Sequence, residues 1–422
     1  MKFLMISRFA EGAHLLWLIK DEGNEVALWV ESPLFKDAWE GILPRVDKWQ
    51  SHIDDDTVVI FDTTGLGKEA DKLRAKGVFT FGGSEFADSL EKDRLYGLVV
   101  MQSCGIKVPK YQVFDNSKAL TEFVKAHPQK WVFKPYGGDE PSAMTYVSED
   151  AEDLIGYIKY LESLKETVWD NVVLQEFVEG VSISTEGWSD GEKFVPPFNH
   201  TLENKKFMND DKGPATGCSG NIVWIEPYEC RIIREGLSKL RPRNHVGPLD
   251  LNVIANEEGV WGLEWTPRFG YDSLGAYIHL MGGEISKVIS DFARGQAPDE
   301  LDVIDSAIAA GVRLSVPPYP SEPVKDKPLL QTSGLPINGI PPDRMKNMYF
   351  YEVKVGKDGK LTHSEGIGNL AAVSHIGDDV DDAFNKVYKI TDMVKVPDLQ
   401  YRTDLGEVIG HALDKVSDFD VA

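Results

Sequence analysis

Residues 203–220 read ENKKFMNDDKGPATGCSG, and the part from Asp210 to Gly220 holds three glycines and one proline in eleven positions, with no apolar run. Strand-like segments flank it. So polar and bendable a segment in mid-chain predicts a loop that closes over a ligand, because glycine lets backbone amides approach without side-chain obstruction.

Downstream, LDLNVIA (249–255) and VWGLEWT (260–266) flank the turn NEEG and alternate with period two. Asp250 and Asn252 then share one strand face, and Gly262, Glu264 and Thr266 share one face of the next. An odd-numbered connecting loop would set Asp250 opposite Glu264, where two carboxylates repel unless a cation lies between them. Oxygen donors of this kind suit Mg²⁺. The same residues also fit a hairpin with one solvated polar face.

Upstream, Lys134 closes the strand WVFKP and is followed by Tyr136, Gly137 and Gly138, a turn that either cradles phosphate or forms a plain surface loop. Lys92, within EKDR, reads on its own as part of a solvated helix start. His14 on an apolar helix reads as a packed histidine. Cys218 has no activating base near it in sequence and reads as a small residue at a tight turn.

With 422 residues, 42% of them hydrophobic, the chain exceeds one ordinary core. Its 45 Lys and Arg stand against 68 Asp and Glu, a net charge of −23 that repels a phosphate backbone and argues against nucleic-acid binding. The odd set Cys104, Cys218 and Cys230 fits a reducing, cytoplasmic compartment. Arg8, Glu11 and His14 interrupt the apolar start and argue against a signal peptide, and no segment has the ~20 apolar residues of a membrane helix.

Strands KFLMI, EVALWV, TVVIF and VFTFG alternate with helices, which predicts a doubly wound parallel-sheet domain over 1–105. One helix is expected through SLEKDRLYGLVVMQSC. A compact strand, glycine turn, helix and strand unit follows in 106–190, a central unit in 191–325 and a carboxy-terminal α+β domain in 326–422, with strands at YFYEVKV and LAAVSHIGDD and a helix at 379–394.

The order of these signals resembles the ATP-grasp superfamily and, within it, the glycinamide ribonucleotide synthetase (phosphoribosylamine–glycine ligase) family. The opening stretch is similar to that family's DHKR…GDKGPNTGGMG segment. FGGSEFADSLEKDR (81–94) is similar to GPxxxAAxLExSK, GLEWTPRFG (262–270) to LEFNxRFG, and QYRTDLG (400–406) to QYRxDIG. The resemblance spans essentially the whole chain.

It implies an α/β ATP-grasp fold and a ligase that activates a carboxylate with ATP to an acyl phosphate, which an amine then converts to an amide. Lys92 and Lys134 would hold the ATP phosphates, with Gly137 and Gly138 above them. Gln175, Glu176, Phe177 and Val178 would line the adenine pocket, with Ser182 at the ribose position. Asp250, Glu264 and Thr266 would ligate Mg²⁺ or Mn²⁺. Arg268 would stabilise the transferring phosphoryl group, with Lys212, Thr216 and Gly217 closing around substrate. The partners implied are glycine or a similar carboxylate and an amine, with phosphoribosylamine the family's own acceptor, in a monomer or homodimer. Segments 137–138 and 210–220 are expected to be mobile without nucleotide.

Several positions depart from the family pattern. Ser182 replaces an acidic group, Thr266 an asparagine, and Tyr271, Asp272 and Ser273 a DPE run. SRFAEGAHLL replaces the glycine-rich GSGGREHAL, and Asn369 an arginine. The acceptor half is where the changes concentrate, so a different amine acceptor, or nucleotide binding without turnover, are the alternatives.

Overall fold

The computed structural model describes residues 1–135, 145–163, 172–226, 230–321 and 332–419. At the amino end β1 (Lys2–Ser7), β2 (Glu25–Val30), β3 (Thr57–Phe61) and β4 (Phe79–Phe81) pair in parallel in the order β2-β1-β3-β4. Helices α1 (Ala13–Asp21) and α2 (Gly67–Ala75) make crossovers. Every residue of β3 is buried, which is why this strand is apolar throughout rather than alternating.

The helix expected through SLEKDRLYGLVVMQSC is two, α3 (Glu85–Lys92) and α4 (Arg94–Ser103). Asp93 leaves helical geometry at φ −98°, ψ 89°, and its carboxylate accepts the Tyr96 N–H at 2.9 Å, capping α4. The break turns Lys92 and Arg94 in different directions.

A small antiparallel sheet follows: β5 (Tyr111–Phe114), β6 (Trp131–Pro135), β7 (Tyr146–Val147) and β8 (Val172–Glu176), ordered β5-β8-β6-β7. Helices α5 (Ser117–Ala126) and α6 (Ala151–Ser163) close a separate core containing Leu120, Phe133, Leu154, Ile158 and Leu174.

The chain then enters β9 (Val181–Asp190), β10 (Phe194–Met208), β11 (Lys212–Glu226), β12 (Val246–Asn256), β13 (Gly259–Thr266) and β14 (Ile308–Ser315). Between them lie α7 (Arg231–Glu235), α8 (Tyr271–Leu280) and α9 (Ile285–Ala293). The strand expected across YFYEVKV is two, β15 (Met348–Phe350) and β16 (Val353–Val355). At the break the Glu352 carboxylate accepts the N–H groups of Ile367, Gly368 and Asn369 at 3.1, 2.8 and 3.1 Å. β16 pairs with β17 (Leu361–His363), and β18 (Asn369–Gly377), α10 (Val380–Thr391) and α11 (Leu405–Asp418) finish the fold. One eight-stranded sheet, ordered β13-β12-β9-β10-β11-β14-β18-β15, therefore runs through both regions flanking residue 325. Among the described residues no helix is long and apolar enough to cross a membrane.

The segment read as a loop is instead the far end of a hairpin. Lys212–Gly220 belongs to β11, paired with β10, and the turn is only Asn209–Asp211, with Asp210 and Asp211 at φ 57° and 52°. Arg402 clamps this tip. Its Nη1 donates to Asn204 Oδ1 (2.6 Å), Lys206 O (3.1 Å) and Asp211 Oδ1 (2.8 Å), while Nε and Nη2 hold Asp404 at 2.8 and 2.7 Å. Asp404 in turn accepts the Asp210 N–H at 2.8 Å. The glycines thus serve a strand held from below, and QYRTDLG is the part that holds it.

Arg402→Met should remove these bonds and leave Asp404 uncompensated. We expect a loss of about 2–3 kcal/mol, less than a fully buried pair because Asp211 is half exposed. It should appear as a lower urea midpoint and faster proteolysis within 205–217; an unchanged cleavage rate would remove the anchoring role.

Candidate functional site: a carboxylate among four cations

The β12–β13 hairpin turns through Glu257 and Glu258, and a bulge between Asn252 and Val253 offsets its register. Asp250 consequently faces Thr266, and Asn252 faces Glu264. The sequence expectation that Asp250 lies opposite Glu264 is corrected: the turn holds an even number of residues, and the bulge adds Leu263 to the other strand. The two carboxylates are diagonal neighbours. On the other side of β12, Asp250 faces Glu186 and Asn252 faces Ser184, so polar residues of three strands, β9, β12 and β13, share one face.

Four cations surround Glu264: Lys205, Arg94, Lys134 and Arg268. Burial alone would raise its carboxyl, yet these charges hold it below the usual range. Arg94 Nη1 lies 3.8 Å from Glu264 Oε2. Lys134 is buried, and loss of hydration, with Arg94 and Lys205 nearby, brings its ammonium down to about 8 despite Glu264. Lys205, on β10 and part exposed, is raised: partial loss of hydration works against its charge, but Glu203 and Glu264 outweigh that.

Lys92 sits elsewhere. A methyl group on Gly65 would lie 2.9 Å from its Nζ, so this ammonium packs against the loop before α2. Counting LExSK from Leu90 puts the motif's lysine at position 94, where this chain has arginine. Arg94 and Lys205 are the two site residues the sequence reading passed over; the first was available from that count, the second from its place in ENKK.

Asp250 is the chemical opposite of Glu264. Burial, reinforced by Glu186 and Glu203, pushes its carboxyl well above the carboxylate range, and Oδ1 is buried with no hydrogen-bond partner among the described residues. Glu186 is pushed by burial to about 7. Asn252 Nδ2 donates to Thr266 Oγ1 at 3.1 Å and to Asp250 Oδ2 at 3.4 Å. Among the described residues no three His, Cys, Asp or Glu side chains form a ready metal cage. The all-oxygen set of Asp250, Glu264 and Thr266, with one orphaned carboxylate oxygen, nonetheless fits Mg²⁺, which keeps waters and shares phosphate oxygens.

Gln175 is buried on β8 and its Nε2 has no partner among the described residues. The Glu176 N–H donates to Lys110 O at 2.9 Å, and Lys130 lies 4.1 Å above the exposed Phe177 ring. Val178 is half buried, and Ser182 on β9 pairs with Ile254. Gly137 and Gly138 lie outside the described residues. Lys212 pairs with Asp210 at 3.0 Å on the exposed hairpin tip, Thr216 Oγ1 donates to Lys205 O at 3.0 Å, and a methyl on Gly217 would reach Asp272 at 4.0 Å.

Arg268 joins a second group of residues to this centre. It binds Glu91 at 3.0 Å and lies over the Tyr271 ring, and its guanidinium is raised because Glu91, Tyr271 and Glu11 outweigh burial. Tyr271 Oη donates to Asp62 O at 2.7 Å, and Asp272 pairs with Arg313. His14 is a packed residue, as expected: buried, pushed by lost hydration to about 3, and accepting the Phe350 N–H at 3.2 Å. Cys218 is buried in β11 rather than at a turn, and burial raises its thiol well above the ordinary value.

A small antiparallel sheet set against a large one, with basic side chains from both meeting a carboxylate, is the ATP-grasp fold. The family model "Phosphoribosylglycinamide synthetase, ATP-grasp (A) domain" matches residues 93–239. A phosphoribosylamine–glycine ligase from Ralstonia nicotianae is 27% identical over 350 residues, covering 80% of each chain. The crystal structure of a phosphoribosylamine–glycine ligase from Thermotoga maritima is similar with a TM-score of 0.72 at 21% identity, over 96% of this chain and all (100%) of that one. A biotin carboxylase from Campylobacter jejuni matches with a TM-score of 0.64 at 12% identity, over 100% and 94%. The chain is a phosphoribosylglycinamide-synthetase-like ATP-grasp protein.

The depressed lysine gives a stability test. Lys134 in the folded state releases its proton near 8, whereas the unfolded chain holds it to about 10.5, so its contribution to stability rises as pH passes through that window. Lys134→Met should therefore gain more over the parent at pH 7 than at pH 9, by about 1 kcal/mol. Equal gains in urea titrations at both pH values would contradict the assignment.

Proposed function

We propose that the protein is an ATP-dependent ligase that joins a carboxylate to an amine through an acyl phosphate, releasing ADP and phosphate. The observation that carries this reading is Glu264 held ionised beneath Arg94, Lys134, Lys205 and Arg268. Moving a phosphoryl group onto a carboxylate gathers negative charge at one point, and a preorganised set of cations stabilises it without a protein nucleophile.

In this reading Lys134 and Arg94 hold the nucleotide phosphates, Arg94 doing what was expected of Lys92. Lys205 and Arg268 face the transferring group, and Arg268 reaches toward the acceptor side. Gln175 and the backbone of Glu176 to Val178 border the adenine, with Gln175 Nε2, unpartnered among the described residues, as a donor. Asp250, Glu264 and Thr266 hold Mg²⁺, which when bound neutralises phosphate charge and polarises the transferring phosphoryl group. The hairpin Lys212–Gly217 forms one wall over the carboxylate. Residues 1–105, 106–190, 191–325 and 326–422 serve as the acceptor-side, nucleotide, central and closing parts. Three buried free thiols suit a reducing cytoplasm. Glycine and phosphoribosylamine, the pair in the relatives' name, are the first substrates to test.

Glu264→Gln should lower ADP release from Mg-ATP at least 100-fold by removing the charge on which the cations converge. Arg94→Ala should raise the KM for ATP roughly tenfold, as loss of a charge-assisted phosphate contact does, and Lys92→Ala less than twofold. A larger effect at Lys92 would return the phosphate contact to that residue.

A further inference from the structure

Lys92, which stands apart from Glu264, meets a second cation. A methyl group on Gly65 would lie 2.9 Å from Lys92 Nζ and 3.1 Å from Arg8 Nη1, so both charges converge on one residue of the loop that follows β3. Gly65 has a left-handed φ of 105°, a conformation side chains rarely adopt, and the missing side chain is what lets the two cations approach. The loop is held in place by Asp88, whose carboxylate accepts the N–H groups of Gly65 and Gly67 at 2.8 Å each. Arg8 is held as well: its Nε donates to Glu31 Oε2 at 2.7 Å, and its guanidinium lies 5.1 Å from the centre of the Phe9 ring. Its Nη1 and Nη2, like the Lys92 ammonium, donate to nothing among the described residues. Both side chains reach solvent, Arg8 being 29% exposed.

The place of this pair in the fold points to a ligand. Arg8 directly follows β1. In the order β2-β1-β3-β4 the chain leaves β1 for β2 on one side and then crosses to β3 on the other, so the ends of β1 and β3 flank the switch point, where doubly wound sheets bind their ligands. Direct contacts lead from there to the carboxylate site: Arg268 binds Glu91, the neighbour of Lys92, and lies over Tyr271, whose hydroxyl donates to Asp62 O, three residues before Gly65. Arg8 is also the second residue of SRFAEGAHLL, so a charged side chain stands in the turn where the similar family has glycines. Two cations on one point repel each other, and a group with two negative charges answers both where a single carboxylate answers one. We propose that Arg8 and Lys92 bind the phosphate of a phosphorylated amine acceptor and so set acceptor specificity by charge, an inference that rests on the ligase reading above. Arg8 supplies a fork of donors and Lys92 a point charge.

The wild-type protein is given Mg-ATP, glycine and, in turn, hydroxylamine and two matched pairs of amines: ethanolamine with phosphoethanolamine, and ribosylamine with phosphoribosylamine, the last two generated in situ. Hydroxamate formed with hydroxylamine reports carboxylate activation apart from acceptor selection. The expected result is hydroxamate, with kcat/KM for ADP release at least about tenfold higher for the phosphorylated member of a pair than for its phosphate-free counterpart. Lys92→Gln should cut that ratio at least about fivefold by raising the KM of the phosphorylated amine, and Lys92→Arg, which keeps the charge, should retain most of it. Damage elsewhere would lower the rates with both members of a pair and leave their ratio as it was; if the Lys92 variants do not fold, Arg8→Gln reads the same ratio. Hydroxamate with no preference for a phosphorylated amine in either pair, or with a ratio that the folded variants leave unmoved, overturns the site while the ligase reading stands. No hydroxamate overturns the ligase reading and the site with it.

Discussion

Glu264 is the point on which the molecule converges. Its cations come from four separate places: Arg94 from the first turn of α4, Lys134 from the end of β6, Lys205 from β10 and Arg268 from just beyond β13. Each would repel the others if the carboxylate were absent, and their charges favour its ionised form. A helix, a small sheet and a large sheet thus each bring a cation toward one carboxylate. Asp250, a diagonal neighbour, has carboxylates around it instead and is driven toward its neutral form. Two acids on the same hairpin thus behave oppositely because of what stands across from them.

The same logic of charge held in place applies to the hairpin. Its strands project far beyond the neighbouring ladder, and a turn with two aspartates in left-handed geometry would fray if left alone. Arg402, almost fully buried, ties that tip to the carboxy-terminal segment. The wall beside Lys205 is consequently held by residues nearly two hundred positions further along the chain.

Much of this was legible from the residues. The parallel strands announce themselves as short apolar runs, and period-two alternation places Asp250 with Asn252 and Glu264 with Thr266. What was not legible is relational. The helix break at Asp93 depends on a cap that competes with an otherwise continuous helical pattern, so Lys92 and Arg94 could not be told apart by periodicity. Hairpin register turned on a bulge that alternation does not encode. The glycines of 213–220 look like a loop because their strand is stabilised by Arg402 and by pairing with β10, neither of which is local.

The continuous eight-stranded sheet bears on how this chain could be divided. β14 lies between β11 and β18, so its N–H and C=O groups are spoken for on both sides. A fragment ending near residue 325 would keep β14 but lose β18, baring a strand whose sequence, IAAGVRLS, carries a single charge. Such an edge recruits whatever strand it meets, and the cheapest donor is another copy of the same fragment. The carboxy-terminal region is therefore the seal on the sheet, and evolution could not have added or removed it as a detachable module without first rebuilding that edge.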